Sequence, residues 1–217
     1  MRAKKRFAYV LVAFSACAWH QRFDEPERWA REFEDPSRDA WQKPDEVIAA
    51  LALKEDASVA DLGAGTGYFS VRLARALPKG WVYGVDLEPA MTQYLEDRAS
   101  REELGNLLTL TATEDSPQLP AAVDCVLIVD TFHHLEDRVN YFYRLRSWLS
   151  PGGTLAIIDF NAKSTIGPPP EHRLSPEQVT EELTRAGFTL AAHHDFLPNQ
   201  YFLVFTVTPG PAPVEKS

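Results

Sequence analysis

The sequence predicts an α/β fold. The expected architecture is a three-layer α/β/α, doubly wound domain whose mostly parallel seven-stranded sheet closes on a C-terminal antiparallel β-hairpin. Three observations carry that expectation. Five β-type runs, at residues 57–61, 81–86, 107–111, 123–129 and 154–160, alternate with helical apolar patterns, the order that builds parallel strands with crossover helices. The fourth run, Val123 to Val129, is almost continuously apolar, as a central strand covered on both faces must be. Two last runs, 188–196 and 201–208, alternate apolar positions around Leu197-Pro198-Asn199-Gln200 and read as a hairpin.

The bulk properties fit one domain. The chain has 217 residues, 45% of them hydrophobic and 24% charged, enough for a substantial core. A net charge of −9 with dispersed Lys and Arg argues against a nucleic-acid partner, because neutralising phosphates needs clustered basic residues. Two cysteines, Cys17 and Cys125, give neither a disulfide framework nor metal-ligand spacing. Cys125 sits in an apolar run and reads as core.

Residues 1–17 stand apart. Arg2, Lys4, Lys5 and Arg6 precede the uncharged, mostly apolar stretch from Phe7 to Ala16, the composition of a secretory signal and too short to span a bilayer. Ser15-Ala16-Cys17 resembles the cleavage box of bacterial lipoproteins, which would tether the chain to a membrane through Cys17, although Phe14 departs from that box. A plain N-terminal segment is the other reading. Residues 18–43 are expected to form a helical lid: Asp24-Glu25-Pro26-Glu27 opens a helix, Pro36 and Pro44 punctuate, and Trp41 and Gln42 are candidates to face a ligand. Residues 44–208 are the main domain and 209–217 a disordered tail.

The first strand runs into Asp61-Leu62-Gly63-Ala64-Gly65-Thr66-Gly67, and a helical pattern follows from Tyr68 to Leu77, stopped by Pro78-Lys79-Gly80. Glycines there allow positive φ and leave no Cβ between backbone and ligand, and the turn opens onto a helix N-terminus. This is a docking place for a nucleotide-like ligand. The dinucleotide fingerprint is G-x-G-x-x-G, but the spacing here is G-x-G-x-G. An acid at the strand end, Asp61, suits a ligand with cationic groups and would repel a pyrophosphate. The second strand, Trp81 to Asp86, ends in an acid placed to accept hydrogen bonds from ribose hydroxyls. A helix from Glu88 to Glu103, closed by Gly105-Asn106, leads to the third strand, Leu107 to Thr111. After the fourth strand come Asp130-Thr131-Phe132-His133-His134, at the edge where open α/β sheets bind ligands. Imidazoles there suit a general base, metal ligation or local structure; no third metal ligand stands at a suitable spacing. A helix from Asp137 to Leu149 precedes the turn Ser150-Pro151-Gly152-Gly153 and the fifth strand, Thr154 to Phe160. Residues 161–174, with Gly167-Pro168-Pro169-Pro170, make a stiff loop at the same edge. Ser175-Pro176-Glu177-Gln178 opens the last helix with capping-box chemistry.

Asp61-x-Gly63-x-Gly65-x-Gly67 resembles motif I of the class I S-adenosylmethionine (SAM) dependent methyltransferases. His133-His134-Leu135-Glu136-Asp137 resembles a segment frequent in their small-molecule members, and Leu149 to Leu155 resembles their turn before the fifth strand. The resemblance covers residues 44–208. It implies methyl transfer from SAM to a small or lipid-like acceptor, with His133 and His134 as candidate catalytic residues. The implied cofactor-binding set is Asp61, Gly63, Gly65, Gly67, Asp86, Leu87, Glu114, Asp115, Asp130 and Thr131, with no metal. The family's adenine-binding acid falls at Ala112 here, so Glu114 or Asp115 is expected to take its place. The resemblance also puts the loop at 161–174 against the acceptor. Two other classes remain open: a non-catalytic SAM-binding envelope protein, and a nicotinamide-dependent oxidoreductase, which the glycine spacing and Asp61 oppose. The lipoprotein-like box places the chain at the cell envelope, whereas cofactor supply would place it in the cytoplasm.

Overall fold

The computed structural model describes residues 25–208; the signal-like segment, Cys17 and the tail lie outside the described residues. The elements run α1 (Pro26–Phe33), α2 (Ser37–Gln42), α3 (Pro44–Ala50), β1 (Ser58–Leu62), α4 (Tyr68–Ala76), β2 (Trp81–Asp86), α5 (Pro89–Arg101), β3 (Leu107–Thr111), β4 (Val123–Val129), α6 (Arg138–Leu145), β5 (Leu149–Phe160), α7 (Pro176–Arg185), β6 (Phe188–His194) and β7 (Gln200–Val207). The strands form one seven-stranded sheet of order β3-β2-β1-β4-β5-β7-β6. β1 to β5 pair parallel, and β7 runs antiparallel between β5 and β6. This is the predicted three-layer architecture with its closing hairpin.

Strand alternation divides the core into two layers. Val59, Val82, Leu127, Ala156 and Ile158 point to the side of α3, α4 and α5, where they meet Val47, Phe69, Leu73 and Leu95. Ala60, Val85, Ile128, Ile157 and Leu203 point the other way, onto Phe142 and Leu145 of α6 and Val179 and Leu183 of α7. The order of strands reverses between β1 and β4, which opens the crevice at the carboxyl edge beside the glycine turn.

Several boundaries differ from the sequence reading, each for a local reason. The helical stretch at 24–53, expected in two pieces, is three short helices, because Lys43 adopts a left-handed conformation (φ +47) between α2 and α3 while Pro36 separates α1 from α2. α5 is ended by Glu103 in the left-handed region (φ +55), two residues before the expected Gly105. α6 stops at Leu145 and tightens into a 3-10 turn over Arg146–Trp148. β5 begins at Leu149, because Ser150-Pro151-Gly152-Gly153 bulges opposite the single residue Asp124 of β4 instead of standing outside the strand. The capping box on α7 is present in full, with Gln178 N–H donating to Ser175 Oγ at 3.2 Å and Ser175 N–H to Gln178 Oε1 at 2.8 Å. The loop at 161–174 is braced by Arg173, whose guanidinium donates to the carbonyls of Asn161, Ser164, Ile166 and Pro168.

Two glycines with the same backbone sign separate strain from packing. Gly152 (φ +82) has open space where a Cβ would go, whereas at Gly67 (φ +93) a Cβ would stand 2.2 Å from Leu95 Cδ1. Gly152→Ala is expected to cost only the left-handed penalty, about 1–2 kcal/mol, and Gly67→Ala about 2–4 kcal/mol with overpacking added. Urea unfolding of the two variants side by side measures the difference.

Candidate functional site

Four aspartates end four strands at one edge of the sheet. Asp61 is the penultimate residue of β1, Asp86 the last of β2, Asp130 follows β4, and Asp159 is the penultimate residue of β5. Each is fixed from a different side. Asp61, 3% exposed, accepts a hydrogen bond from Ser70 Oγ of α4 at 2.6 Å. Asp86 accepts the Gly65 N–H at 2.8 Å and the Glu88 N–H at 3.0 Å, one on each carboxylate oxygen. Asp130 sits in the left-handed region (φ +54), a conformation Asp tolerates better than most residues. It accepts from Gln200 Nε2, and its other oxygen lies 3.6 Å from the Arg38 guanidinium. Asp159 accepts the Phe160 N–H at 2.8 Å and the His133 N–H at 3.2 Å.

Negative charge is in surplus here. Burial, against the pull of the Ser70 bond and of Arg38, pushes Asp61 up to about 6. Burial also raises Asp86. Asp130 is pushed up to about 7, by burial first and then by the neighbouring Asp159 charge, although Arg38 opposes it. Four carboxyls at neighbouring strand ends, faced among the described residues by the cations Arg38 and Arg138 and by His133, favour a ligand that brings positive charge. They disfavour a pyrophosphate.

The glycine turn is folded onto that edge. Gly63 and Ala64 donate to the Val85 carbonyl at 2.8 and 3.0 Å, so β1 and β2 hold the turn between them. Gly63, Gly65 and Gly67 have φ of +78, +53 and +93. A Cβ on Gly63 would stand 2.2 Å from Thr131 Oγ1, which places the turn against the end of β4. At Gly65 a Cβ would touch only the Phe33 ring, at 3.5 Å. At Gly65 the turn is thus covered by Phe33 of α1.

The segment preceding the main domain is tied down over this edge. Glu34 accepts from Thr66 Oγ1 at 2.9 Å and pairs with Arg98 of α5 at 2.6 Å. Arg38 donates to Gln42 Oε1 at 2.6 Å and the Phe33 carbonyl at 2.9 Å. The Tyr68 ring lies between the Arg38 and Arg72 guanidiniums, each 4.0 Å from its centre, while its hydroxyl donates to Asp39. Gln42 is fully buried and bonds Gln200 at 3.0 Å. Trp41 faces Phe160 with ring centres 6.1 Å apart. Both lid candidates from the sequence therefore pack inward at the site.

On the other face of the edge, His133 lies in a 3-10 turn, Phe132–His134. Its Nδ1 is 2.9 and 3.0 Å from the two Asp159 oxygens, and its side chain is 7% exposed. Burial lowers its pKa, but the Asp159 bond and the charges of Asp159 and Asp130 outweigh burial and raise it. His134 is exposed, its ring centre 4.2 Å from that of His133. Tyr201 stands opposite Asp159 in the β5–β7 register.

The remaining sequence candidates lie further out. Leu87 is half exposed beside Asp86. Thr131 Oγ1 donates to the Val129 carbonyl at 2.9 Å. Glu114 is exposed in the turn after β3, and Asp115 pairs at the surface with Arg144 at 3.1 Å. Among the described residues no group of three or more His, Cys, Asp and Glu side chains is arranged to hold a metal. Arg38, Asp159, Gln200 and Tyr201 belong to the site without having been singled out. Asp159 carried a signal, since Ile157-Ile158-Asp159 repeats the apolar-then-acid ending of Ile128-Val129-Asp130. The other three meet only through contacts distant in sequence.

Residues 59–153 match the family described as "Methyltransferase domain". An uncharacterized methyltransferase of Mycobacterium bovis is 30% identical over 116 residues, 54% of this chain and 57% of that protein. The erythromycin 3''-O-methyltransferase of Saccharopolyspora erythraea is 27% identical over 140 residues, 61% of this chain and 45% of that protein. The chain thus spans about half the length of these curated relatives. The crystal structure of a SAM dependent methyltransferase from Aquifex aeolicus superposes with a TM-score of 0.78 and 27% identity, covering 85% of this chain and 99% of that one.

The raised carboxyls fix the sign of a stability change. A group whose pKa is higher folded than unfolded stabilises the fold at low pH and loses that contribution as pH rises through its folded value. Between pH 5 and 8 the ligand-free protein is expected to lose about 2 kcal/mol through Asp130, with Asp61 adding in the lower part of that range. Asp130→Asn should remove the Asp130 share, and thermal melts of both proteins across that pH range measure it.

Proposed function

We propose, for a chain that carries a class I SAM-dependent methyltransferase domain, that it binds SAM across the carboxyl edge of β1, β2 and β4 and transfers its methyl group to a small or lipid-like acceptor. The observation that carries this reading is the surplus of buried carboxylates around a glycine turn. SAM offers a sulfonium and an ammonium to such a site and has no phosphate. Asp86 keeps lone pairs on both oxygens after accepting the Gly65 and Glu88 N–H groups, so it retains capacity for two ribose hydroxyls. The turn Gly63–Gly67 would run beneath the methionine part, with Asp61, Asp130 and Thr131 beside it and Leu87 against the adenosine. Glu114 would take the adenine amino group, since Asp115 is already paired with Arg144. The bound cofactor supplies an electrophilic methyl group. The protein's own contribution is to hold the acceptor in line with it, which supplies about 7–11 kcal/mol in well-oriented reactions.

A small-molecule acceptor is supported by the name of the erythromycin-modifying relative. A lipid-like acceptor and tethering through Cys17 rest on the sequence at residues 1–17, and mass spectrometry of the mature N-terminus tests them. Among the described residues no helix is long and apolar enough to cross a membrane.

Because the cation favours the ionised carboxylates, SAM affinity is expected to rise with pH between about 5.5 and 8. Calorimetric titration of the purified protein should show that slope, and Asp130→Asn should flatten its upper part. Asp86→Ala should weaken SAM at least tenfold. NADH serves as the competing titrant: tight NADH binding with no SAM binding would replace this reading with the oxidoreductase one.

A further inference from the structure

β3 closes one end of the sheet and pairs with β2 alone. The ladder shows which of its backbone groups face outward. Asn106 turns its carbonyl to the Val82 N–H, and Ala112 turns its N–H to the Asp86 carbonyl. Successive residues of a paired strand direct these groups to alternate sides, so Leu108 and Leu110 also serve β2. Leu107, Thr109 and Thr111 then direct theirs away from the sheet. The Leu107 N–H is taken by the Leu104 carbonyl at 3.1 Å, which leaves the Thr109 and Thr111 N–H groups at the outer edge. Such an edge is a template for another strand, and proteins blunt it with lysine, proline or a bulge. Leu107-Leu108-Thr109-Leu110-Thr111 carries none of these.

Both sides of the edge offer apolar surface. On the α5 side runs a groove of about 440 Å³, lined by Ala99, Leu104 and Leu107 together with Glu96 and Glu103. On the other side, β3 passes to β4 without a helix, and Leu108 and Trp81 are left 43% and 47% exposed. Leu108 pairs in register with Tyr83, two residues after Trp81, so Leu108 and Trp81 share that face. Charge selects the occupant. Glu102 is paired with Arg75 and Arg98, whereas Glu96 and Glu103 form no ion pair with a described residue. Glu114 stands exposed beyond the other end of β3. A second copy of the chain would bring the same acids, and a net charge of −9, against them.

We propose that the β3 edge docks an extended segment of a partner protein, apolar in its middle and flanked by Lys or Arg, which joins the sheet as a further strand. The segment accepts hydrogen bonds from the Thr109 and Thr111 N–H groups. Its alternate side chains lie on Leu108 and Trp81 on one face and in the groove along α5 on the other. Its basic flanks meet Glu96 and Glu103. The main-chain bonds supply affinity for any extended segment, and the acids choose among segments. The inference stands apart from the cofactor reading, since none of these residues belongs to the glycine turn or the four strand-end aspartates.

The full chain is titrated with a synthetic peptide of alternating valine and threonine that carries lysines at both ends, and with a twin that carries glutamates there instead. At low salt the lysine peptide should bind about tenfold tighter than its twin, and high salt should shrink that preference. Hydrogen exchange should find the Thr109 and Thr111 amides open in the protein alone and protected in the complex. Thr109→Pro removes one outward N–H at a place where an edge strand accepts proline. It should weaken the lysine peptide about tenfold while the melting temperature stays near that of the wild type. Glu96→Lys combined with Glu103→Lys should reverse the preference between the two peptides, and this reads the charge argument even where the proline variant fails to fold. No binding of the lysine peptide, equal binding of the twins, or protection confined to residues outside β3 overturns the proposal. Protection of Thr109 and Thr111 in the protein alone overturns it as well. Protection independent of protein concentration would assign the edge to another part of this chain, and protection that grows with concentration would assign it to a second copy.

Discussion

The structure is organised by the cost of keeping several carboxylates at one sheet edge. Parallel strands bring their last residues together at one level, and in this chain those residues include Asp61, Asp86, Asp130 and Asp159. Asp130 and Asp159 are a direct case: Val129 pairs with Ile158, so the two acids leave neighbouring strands side by side. Isolated charges in such a place would be expelled or neutralised. Here they persist because each has donors of its own, from Ser70, from the Gly65 and Glu88 amides, from Gln200, and from His133 and the Phe160 amide. Donors that are mostly neutral stabilise a carboxylate without cancelling its charge. The edge therefore gains negative charge as pH rises through the raised values of Asp61 and Asp130, and a cationic ligand favours the ionised form, which is the property the proposed cofactor needs.

That constraint gives the N-terminal helices their place. α2 brings Arg38, a fixed cation, to 3.6 Å from Asp130, and the Gln42–Gln200 bond continues the chain of donors to the same carboxylate. Glu34 meanwhile reaches the glycine turn at Thr66, where Arg98 of α5 pairs with it. The segment thus delivers its positive group to the acids and has its negative one matched by a cation of α5. A cover built only of apolar contacts would leave Asp130 harder to ionise, and one with more cations would compete with a cationic ligand.

Much of this was legible in the sequence and some of it was not. The element order, the glycine turn and the closing hairpin follow from local patterns, because each strand's apolar pattern and each turn's glycine or proline is a local signal. Asp61, Asp86 and Asp130 were legible as acids after apolar runs. Asp159 was passed over because Phe160 follows it and makes the acid look interior to the strand. Boundaries failed where a residue other than glycine took the left-handed region, as Glu103 did. Gln200 and Tyr201 were illegible, since a hairpin turn read alone does not say which strand will lie beside it. Arg38 reaches its partner across 92 positions of sequence, and no spacing rule spans that distance.

The acids of the edge are divided between its two faces by the pleat. Asp61 points toward α4, where it meets Ser70, while Asp159 and Tyr201 share the parity of Ile157 and Leu203 and face the layer of α6 and α7. Asp61 and the Asp159–His133 pair are thus turned to opposite faces of one sheet edge. This separation depends on register, because a slip of one residue in β5 would turn Asp159 to the α4 side and Phe160 to the other. The bulge at Ser150–Gly153 lies at the start of β5 and absorbs the extra length before the paired run from Thr154 begins. A turn far from the chemistry therefore sets which face each acid serves, and the Pro-Gly-Gly signal read as punctuation acts as a register pin for the site.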